Sequence, residues 1–277
     1  MKVTILAENT AKDNLKAEHG FSLLVEYDNK KILLDTGSTD AFADNARIMN
    51  IDLSDVDVSV LSHGHYDHSG GYERFFRENS SANVYVRPQV FNEFWSGNRE
   101  MHQIGVPKNL LDYFDRFTLI LGLKEIYKNV YLVPHNTMGL EKIGEKTKLY
   151  QGKCGKTVPD NFNHEQSLVI DTPRGLVIFN SCSHGGAATI IDEAKSYLDN
   201  KPVYAYIGGF HMMGNVNSQE VCNFTDNELD TLCNKLTEEN VVYIYTGHCT
   251  GNVGYSKLKE RLDNRLFRLT AGLTFEL

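Results

Sequence analysis

Three things are scarce in this 277-residue chain, and each counts against a class of function. Cysteine is the first: there are five, an odd number with no Cys-x-x-Cys pair. That usage suits reduced thiols and a cytoplasmic protein rather than a disulfide-built scaffold. Positive charge is the second. Lys and Arg number 28 against 36 Asp and Glu, a formal net charge of −8, where a general nucleic-acid binder would be basic. Long apolar runs are the third: none approaches a membrane span, and the stretch beginning at Val3 is too short for a signal peptide. Repeats, low-complexity tracts and obvious linkers are also missing. What remains is ordinary for a soluble globular chain, 41% hydrophobic and 23% charged, with room for one large domain or two small ones.

Against that plain background, residues 60–71 stand out: Val-Leu-Ser-His-Gly-His-Tyr-Asp-His-Ser-Gly-Gly. His63, His65, Asp67 and His68 place three imidazoles and a carboxylate within six positions. Surface turns favour Asn, Asp and Gly over repeated His, so a loop this rich in donors points to a metal. Imidazole and carboxylate together suit zinc, iron or manganese. The preceding Val56-Asp57-Val58-Ser59-Val60-Leu61 alternates and is β-branched, which predicts a strand with the donors at its C-terminal end. Gly64, Gly70 and Gly71 allow the tight backbone that converging side chains need.

Periodicity predicts strands at Val3–Ala7, Phe21–Tyr27 and Lys31–Asp35, with a hairpin turn at Asp28-Asn29-Lys30. A helix follows over Asp40–Met49, another begins near Gly71, and Asn83–Arg87 is extended. Past an irregular middle, Ser167–Asp171 and Leu176–Asn180 form a hairpin. Helices at Ala188–Leu198, Thr225–Glu238 and Tyr255–Asp263 then alternate with strands at Val203–Ile207 and Val241–Tyr245. The two halves share one grammar, a meander followed by strand–helix units.

His-x-His-x-Asp-His after a strand resembles the signature of the metallo-β-lactamase superfamily, mostly dinuclear metal hydrolases. The resemblance implies an α+β fold, a four-layer αβ/βα sandwich formed by a single domain over 1–277. It implies His63 and His65 on one metal, and Asp67 and His68 on the other. His248, in Tyr-Thr-Gly-His-Cys-Thr-Gly, resembles the last ligand of the family, and His164, ahead of a strand, resembles its third motif, so both are expected metal ligands. Where most members carry a bridging Asp, this chain has Ser181-Cys182-Ser183-His184; His184 is favoured as the ligand, with Cys182 as its neighbour. Asp35 resembles a position that braces the donor loop by hydrogen bonds.

Four further patches narrow the resemblance: Ala17–Leu24, His164–Leu168, Cys182-Ser183-His184 and Gly209-Phe210-His211. They look like the branch that includes the dihydropterin ribofuranosyl-aminobenzene phosphate synthases, which join a pterin diphosphate to an arylamine and release pyrophosphate. Two functions are therefore expected. The first is a hydrolase with two divalent metals, zinc first and iron, manganese or nickel as alternatives, acting on a small anionic, phosphorylated or ring-bearing molecule. The second is the branch's transferase chemistry. A redox di-iron protein and a non-catalytic sensor rank lower, because such di-iron members usually carry Glu where His65 stands and the donor set is intact. Asp67 is the expected orienting group for the nucleophile, and His211 or Tyr66 the proton donor or oxyanion contact; the role of His19 stays open. Residues 88–163 read either as a helical subdomain with a small core and solvated lysines, or as a lid. The lid would have aromatic walls (Phe91, Phe94, Trp95, Tyr113, Phe114, Phe117) and a lysine run (Lys142, Lys146, Lys148, Lys153, Lys156). Neither nucleic acid nor membrane is an expected partner, and nothing in the sequence sets the oligomeric state.

Overall fold

The computed structural model describes residues 1–97, 100–153 and 155–277. The chain divides into two compact units. The first comprises residues 1–121, 138–166 and 270–277, and the second residues 122–137 and 167–269.

In the first unit, a seven-stranded sheet runs in the order Thr274–Glu276, Lys2–Ala7, Ser22–Tyr27, Lys30–Leu34, Val58–Val60, Val84–Val86 and Phe117–Leu119. Its start is an antiparallel meander. The hairpin turn falls at Asp28 and Asn29, both with positive φ (47° and 60°), as a two-residue turn matched to strand twist requires. From Lys30–Leu34 onward the pairing becomes parallel, and Val58–Val60 lies between two parallel neighbours with every residue buried. A short β-branched run suits that position, since a central parallel strand is covered on both faces. Helices Ala41–Ile48 and Tyr72–Glu78 contribute Phe42, Ala46, Phe75 and Phe76 to the core that also holds Leu33 and Val84.

The segment expected to be helical carries a sheet as well as helical turns. Lys156–Pro159, Leu149–Lys153, Phe94–Gly97 and Met101–Gln103 make a four-stranded antiparallel sheet, accompanied by a short α-helix at Glu141–Thr147 and 3₁₀ helices at Pro88–Phe91 and Lys108–Arg116. The small core is present, built from Leu140, Leu149 and Phe162 with Ile104 and Ile143 against them. Residues 122–137 belong instead to the second unit.

The second unit carries another seven-stranded sheet, ordered Leu266–Arg268, Tyr243–Thr246, Val203–Ile207, Gly175–Phe179, Gln166–Thr172, Val130–Pro134 and Lys124–Tyr127. Its parallel strands are joined through helices Ala187–Tyr197, Asp226–Glu238 and Gly251–Leu262. Ile190, Leu229, Leu232 and Leu258 from those helices share a core with Ile178, Val203 and Ile244 from the strands. Asp226–Glu238 opens on a capping box. The Thr225 hydroxyl accepts from the Glu228 amide at 3.3 Å, and the Glu228 carboxylate accepts from the Thr225 amide at 2.9 Å.

Candidate metal centre

The buried strand Val58–Val60 ends two residues before the donor loop, and the loop is held from beneath by one carboxylate. Asp35 is fully buried, follows the strand Lys30–Leu34, and sits at φ 59°. Its Oδ1 accepts the Ser62 amide at 2.7 Å. Its Oδ2 accepts the Ser62 hydroxyl and pairs with Nδ1 of His68, both at 2.7 Å. The Ser62 oxygen is in turn 2.8 Å from Nδ1 of His63. A carboxylate oxygen only accepts, so the His68 proton sits on Nδ1. The Ser62 hydroxyl spends its hydrogen on Asp35, so it accepts from Nδ1–H of His63. One carboxylate thus sets two tautomers, and in both rings Nε2 keeps its lone pair.

The rings converge. His63 lies 4.6 Å from His65 and 4.1 Å from His68, centroid to centroid. All three are buried, and burial pushes the His65 imidazole down to about 3, which keeps it neutral. The loop turns into the short helix Tyr66–Ser69, and the Tyr66 amide bonds to the Ile104 carbonyl at 2.9 Å. Asp67 Oδ2 lies 3.3 Å from Nε2 of His19 and 3.6 Å from Nε2 of His68. The expected glycines are needed for close approach: a Cβ on Gly64 would lie 2.6 Å from the Phe94 ring and 2.8 Å from the Val90 carbonyl, and one on Gly70 would collide with the Ser38 carbonyl. Burial, then the charge of Asp67, pushes the Tyr66 phenol up.

His164 is also in this unit and fully buried, with its ring 5.4 Å from that of His65 and 4.1 Å from Phe94. Both of its nitrogens are engaged: Nδ1 accepts the Gly64 amide at 2.9 Å, and Nε2 lies 3.0 Å from Oδ2 of Asp160. His65, Asp160 and His164 offer donor atoms within 4.8 Å of one another. The sequence reading missed Asp160. Its only local signal is the four-residue spacing from His164.

In the second unit, Cys182, His184, His211, His248 and Cys249 all lie just beyond strand ends. The rings of His184 and His211 are 4.2 Å apart. His211 is in the left-handed region at φ 50°, and its buried Nδ1 meets no hydrogen-bond partner among the described residues. Burial alone would raise the Cys249 thiol, but hydrogen bonds to the Cys182 and His211 side chains, with His248 nearby, hold it well below the usual thiol range. The loop of Cys182 and His184 is tied down by a network that sequence reasoning also missed. Asn180 Oδ1 accepts the Ser183 amide at 2.6 Å, and its Nδ2 donates to Ser167 Oγ at 2.9 Å. Ser167 lies 2.9 Å from Nε2 of His135, whose Nδ1 is 2.6 Å from Glu193. The Ser–His–Glu order imitates a hydrolytic triad, but Ser167 is fully buried and already accepts from Asn180, so the network is a brace.

Comparison with known proteins agrees with this geometry. The family model described as the metallo-beta-lactamase superfamily matches residues 15–131. The 7,8-dihydropterin-6-methyl-4-(β-D-ribofuranosyl)-aminobenzene-5′-phosphate synthase of Methanocaldococcus jannaschii is 30% identical to the chain, covering 98% of it and 95% of the synthase.

The chain belongs to the metallo-β-lactamase superfamily.

An uncharacterized protein of the same archaeon is also 30% identical, over 96% of each chain. A solved structure described as a metal-dependent hydrolase of the β-lactamase superfamily aligns with a TM-score of 0.84 at 28% identity, over 100% of this chain and 99% of that one. The expected class, α+β with the metallo-β-lactamase fold, is the one found, and that fold implies divalent metal binding. The donor chemistry fits: two imidazoles are held in the tautomer that presents Nε2, with a third imidazole and a carboxylate beside them. No helix among the described residues is long and apolar enough to cross a membrane.

Proposed function

We propose that the chain is a dinuclear metal-dependent hydrolase of small anionic substrates, with zinc the first candidate metal. His63, His65, Asp67 and His68 are the proposed ligands of the first unit, and His184 and His248 those of the second. The observation that carries the reading is the Asp35–Ser62 brace, which holds two buried imidazoles with the proton on Nδ1, the tautomer in which Nε2 is the donor atom for a metal. Bound divalent ions supply Lewis acidity toward a phosphoryl or carbonyl oxygen and a nucleophile at neutral pH. The chain's own groups do the rest. Asp67 accepts a hydrogen bond from the attacking group and orients it, while the half-exposed His19, 3.3 Å away, holds Asp67 in place. His211, whose buried Nδ1 is spare, is the proposed proton donor to the leaving group.

For the substrate, residues 88–163 offer support. A cavity of about 400 Å³ is lined by Phe91 and Trp95 together with Lys153, Lys156 and Thr157, so aromatic wall and cations occur together there. Successive strand residues point to opposite faces, so Phe94 packs on His65 and His164 while Trp95 turns to the cavity. The lysines at this cavity are Lys153 and Lys156 rather than Lys146 and Lys148.

The second reading, a transferase of the dihydropterin ribofuranosyl-aminobenzene phosphate synthase type, is favoured by the near full-length 30% identity to that synthase. One experiment separates the two. Metal content is measured on purified protein. The loaded protein is then offered phosphodiesters, phosphomonoesters, lactones and a pterin diphosphate, the last with and without an arylamine. Hydrolysis without amine supports the hydrolase. Pyrophosphate release only with amine supports the transferase. Less than half a metal ion per chain after growth in metal-replete medium would sink both.

A further inference from the structure

The buried imidazoles of the first unit fall into two tautomeric classes. His63 and His68 carry their proton on Nδ1, turned toward Ser62 and Asp35, and keep a lone pair on Nε2. His164 is the reverse. Its Nδ1 accepts the Gly64 N–H at 2.9 Å, and an acceptor nitrogen cannot also carry a proton. The ring proton therefore sits on Nε2, 3.0 Å from Oδ2 of Asp160, where it donates. A ring held this way has no lone pair left for a cation.

We propose that His164 and Asp160 are a positioning pair for the donor loop rather than part of its ligand set. This rests on the metal-binding reading of that loop. The Gly64 N–H belongs to the peptide joining His63 to Gly64, so its anchor fixes the backbone torsions between His63 and His65. Glycine is the residue least able to fix those torsions itself. Phe94 and Val90 crowd the place where a Cβ on Gly64 would stand, so the loop keeps glycine and borrows rigidity from His164. Asp160 is anchored in turn: its Oδ1 accepts the Phe162 amide at 2.8 Å, and the Phe94 ring packs on His164 at 4.1 Å. The line from Asp160 through His164 to Gly64 does for His63 and His65 what Asp35 does for His63 and His68.

Glutamine at 164 separates the two roles. Its amide oxygen accepts from Gly64 and its amide N–H donates to Asp160, but it is a poor zinc donor. Zinc affinity is measured by chelator competition on stripped wild-type protein and on H164Q, H164A and D160A, with circular dichroism to check folding. The positioning role predicts H164Q within about three-fold of wild type. It also predicts H164A and D160A weaker by about 10–100-fold, the usual cost of losing an outer partner of a metal ligand. Loss of zinc by folded H164Q as severe as in H164A would make His164 a ligand and overturn the proposal. So would wild-type affinity in both H164A and D160A. If H164Q does not fold, D160A decides: both carboxylate oxygens of Asp160 accept an N–H, from Phe162 and from His164, so folded D160A with wild-type zinc affinity overturns the pair. Long-range ¹H–¹⁵N spectra of the stripped protein test the tautomer without metal, so this inference can fail separately from the metal reading. His164 must show a protonated Nε2 and a bare Nδ1; the opposite assignment refutes it, whereas a wild-type chain that takes up no zinc fails the metal reading first.

Discussion

Replacing Asp35 by Asn should uncouple metal binding from the fold while leaving the chain folded. The backbone at 35 lies at φ 59°, a conformation Asn tolerates as well as Asp, so strain is not introduced. The amide oxygen can still accept the Ser62 N–H now 2.7 Å from Oδ1. At the other position an NH₂ replaces an oxygen that served both the Ser62 hydroxyl and Nδ1–H of His68, each at 2.7 Å. The hydroxyl can rotate to accept. His68 has no such freedom: it must move its proton to Nε2, which removes the lone pair a metal would use. A lost bond to a charged acceptor costs about 1.5–3 kcal/mol. For a chain of this size that lowers Tm by roughly 3–12 °C, at about 2–4 °C per kcal/mol. Zinc affinity should fall about 10–100-fold. Calorimetry of stripped protein and chelator competition read the two effects. Wild-type zinc affinity in folded D35N would refute the claim that Asp35 sets the His68 tautomer.

Other outcomes follow from the same geometry. Glu193 is held at about 2, below the ordinary 4.5; burial opposes this, but hydrogen bonding and charge from His135 outweigh it, with Thr137 and Asn136 adding to them. A depressed carboxylate stabilises above its unfolded value and loses that as pH falls toward its folded one. The urea midpoint of E193Q should therefore lie below wild type at pH 7, and the gap should narrow as pH drops below 4.5; a constant gap would show that charge is not the cause. His184→Ala should lose metal and Cys182→Ala should keep it, read by elemental analysis; the reverse pattern would make Cys182 the ligand. Changing Lys153 and Lys156 together to Ala should raise KM for a phosphorylated substrate several-fold more than for its dephosphorylated analogue, and equal effects would leave the lysines as a solvated face.

What could be read from the sequence was whatever is written in neighbouring residues. Asp28-Asn29 announces a hairpin because two adjacent positive φ values are demanded at one spot, and those residue types supply them. The β-branched run into Val60 announces a buried strand, and the donors of 63–68 are themselves consecutive. The sheet built from Phe94–Gly97, Met101–Gln103, Leu149–Lys153 and Lys156–Pro159 was not legible. Leu149 pairs with Ser96 across more than fifty residues, and Met101–Gln103 is exposed throughout, so no buried face imprints a two-residue period on it. The closing strand Thr274–Glu276, which pairs with Lys2–Ala7, was missed for the same reason.

The donor loop shows a parallel split. The histidines declare that something is bound, but not which nitrogen each one offers. That depends on partners far along the chain, Asp35 for His68 and Gly64 for His164. Imidazole is one residue type with two chemistries, acceptor at one nitrogen and donor at the other, and the partner chooses between them. A histidine can therefore match a ligand pattern by position and still be turned by its hydrogen bonds into part of the frame. Under the positioning role proposed for it, His164 meets that description in this chain, and His63 and His68 do not.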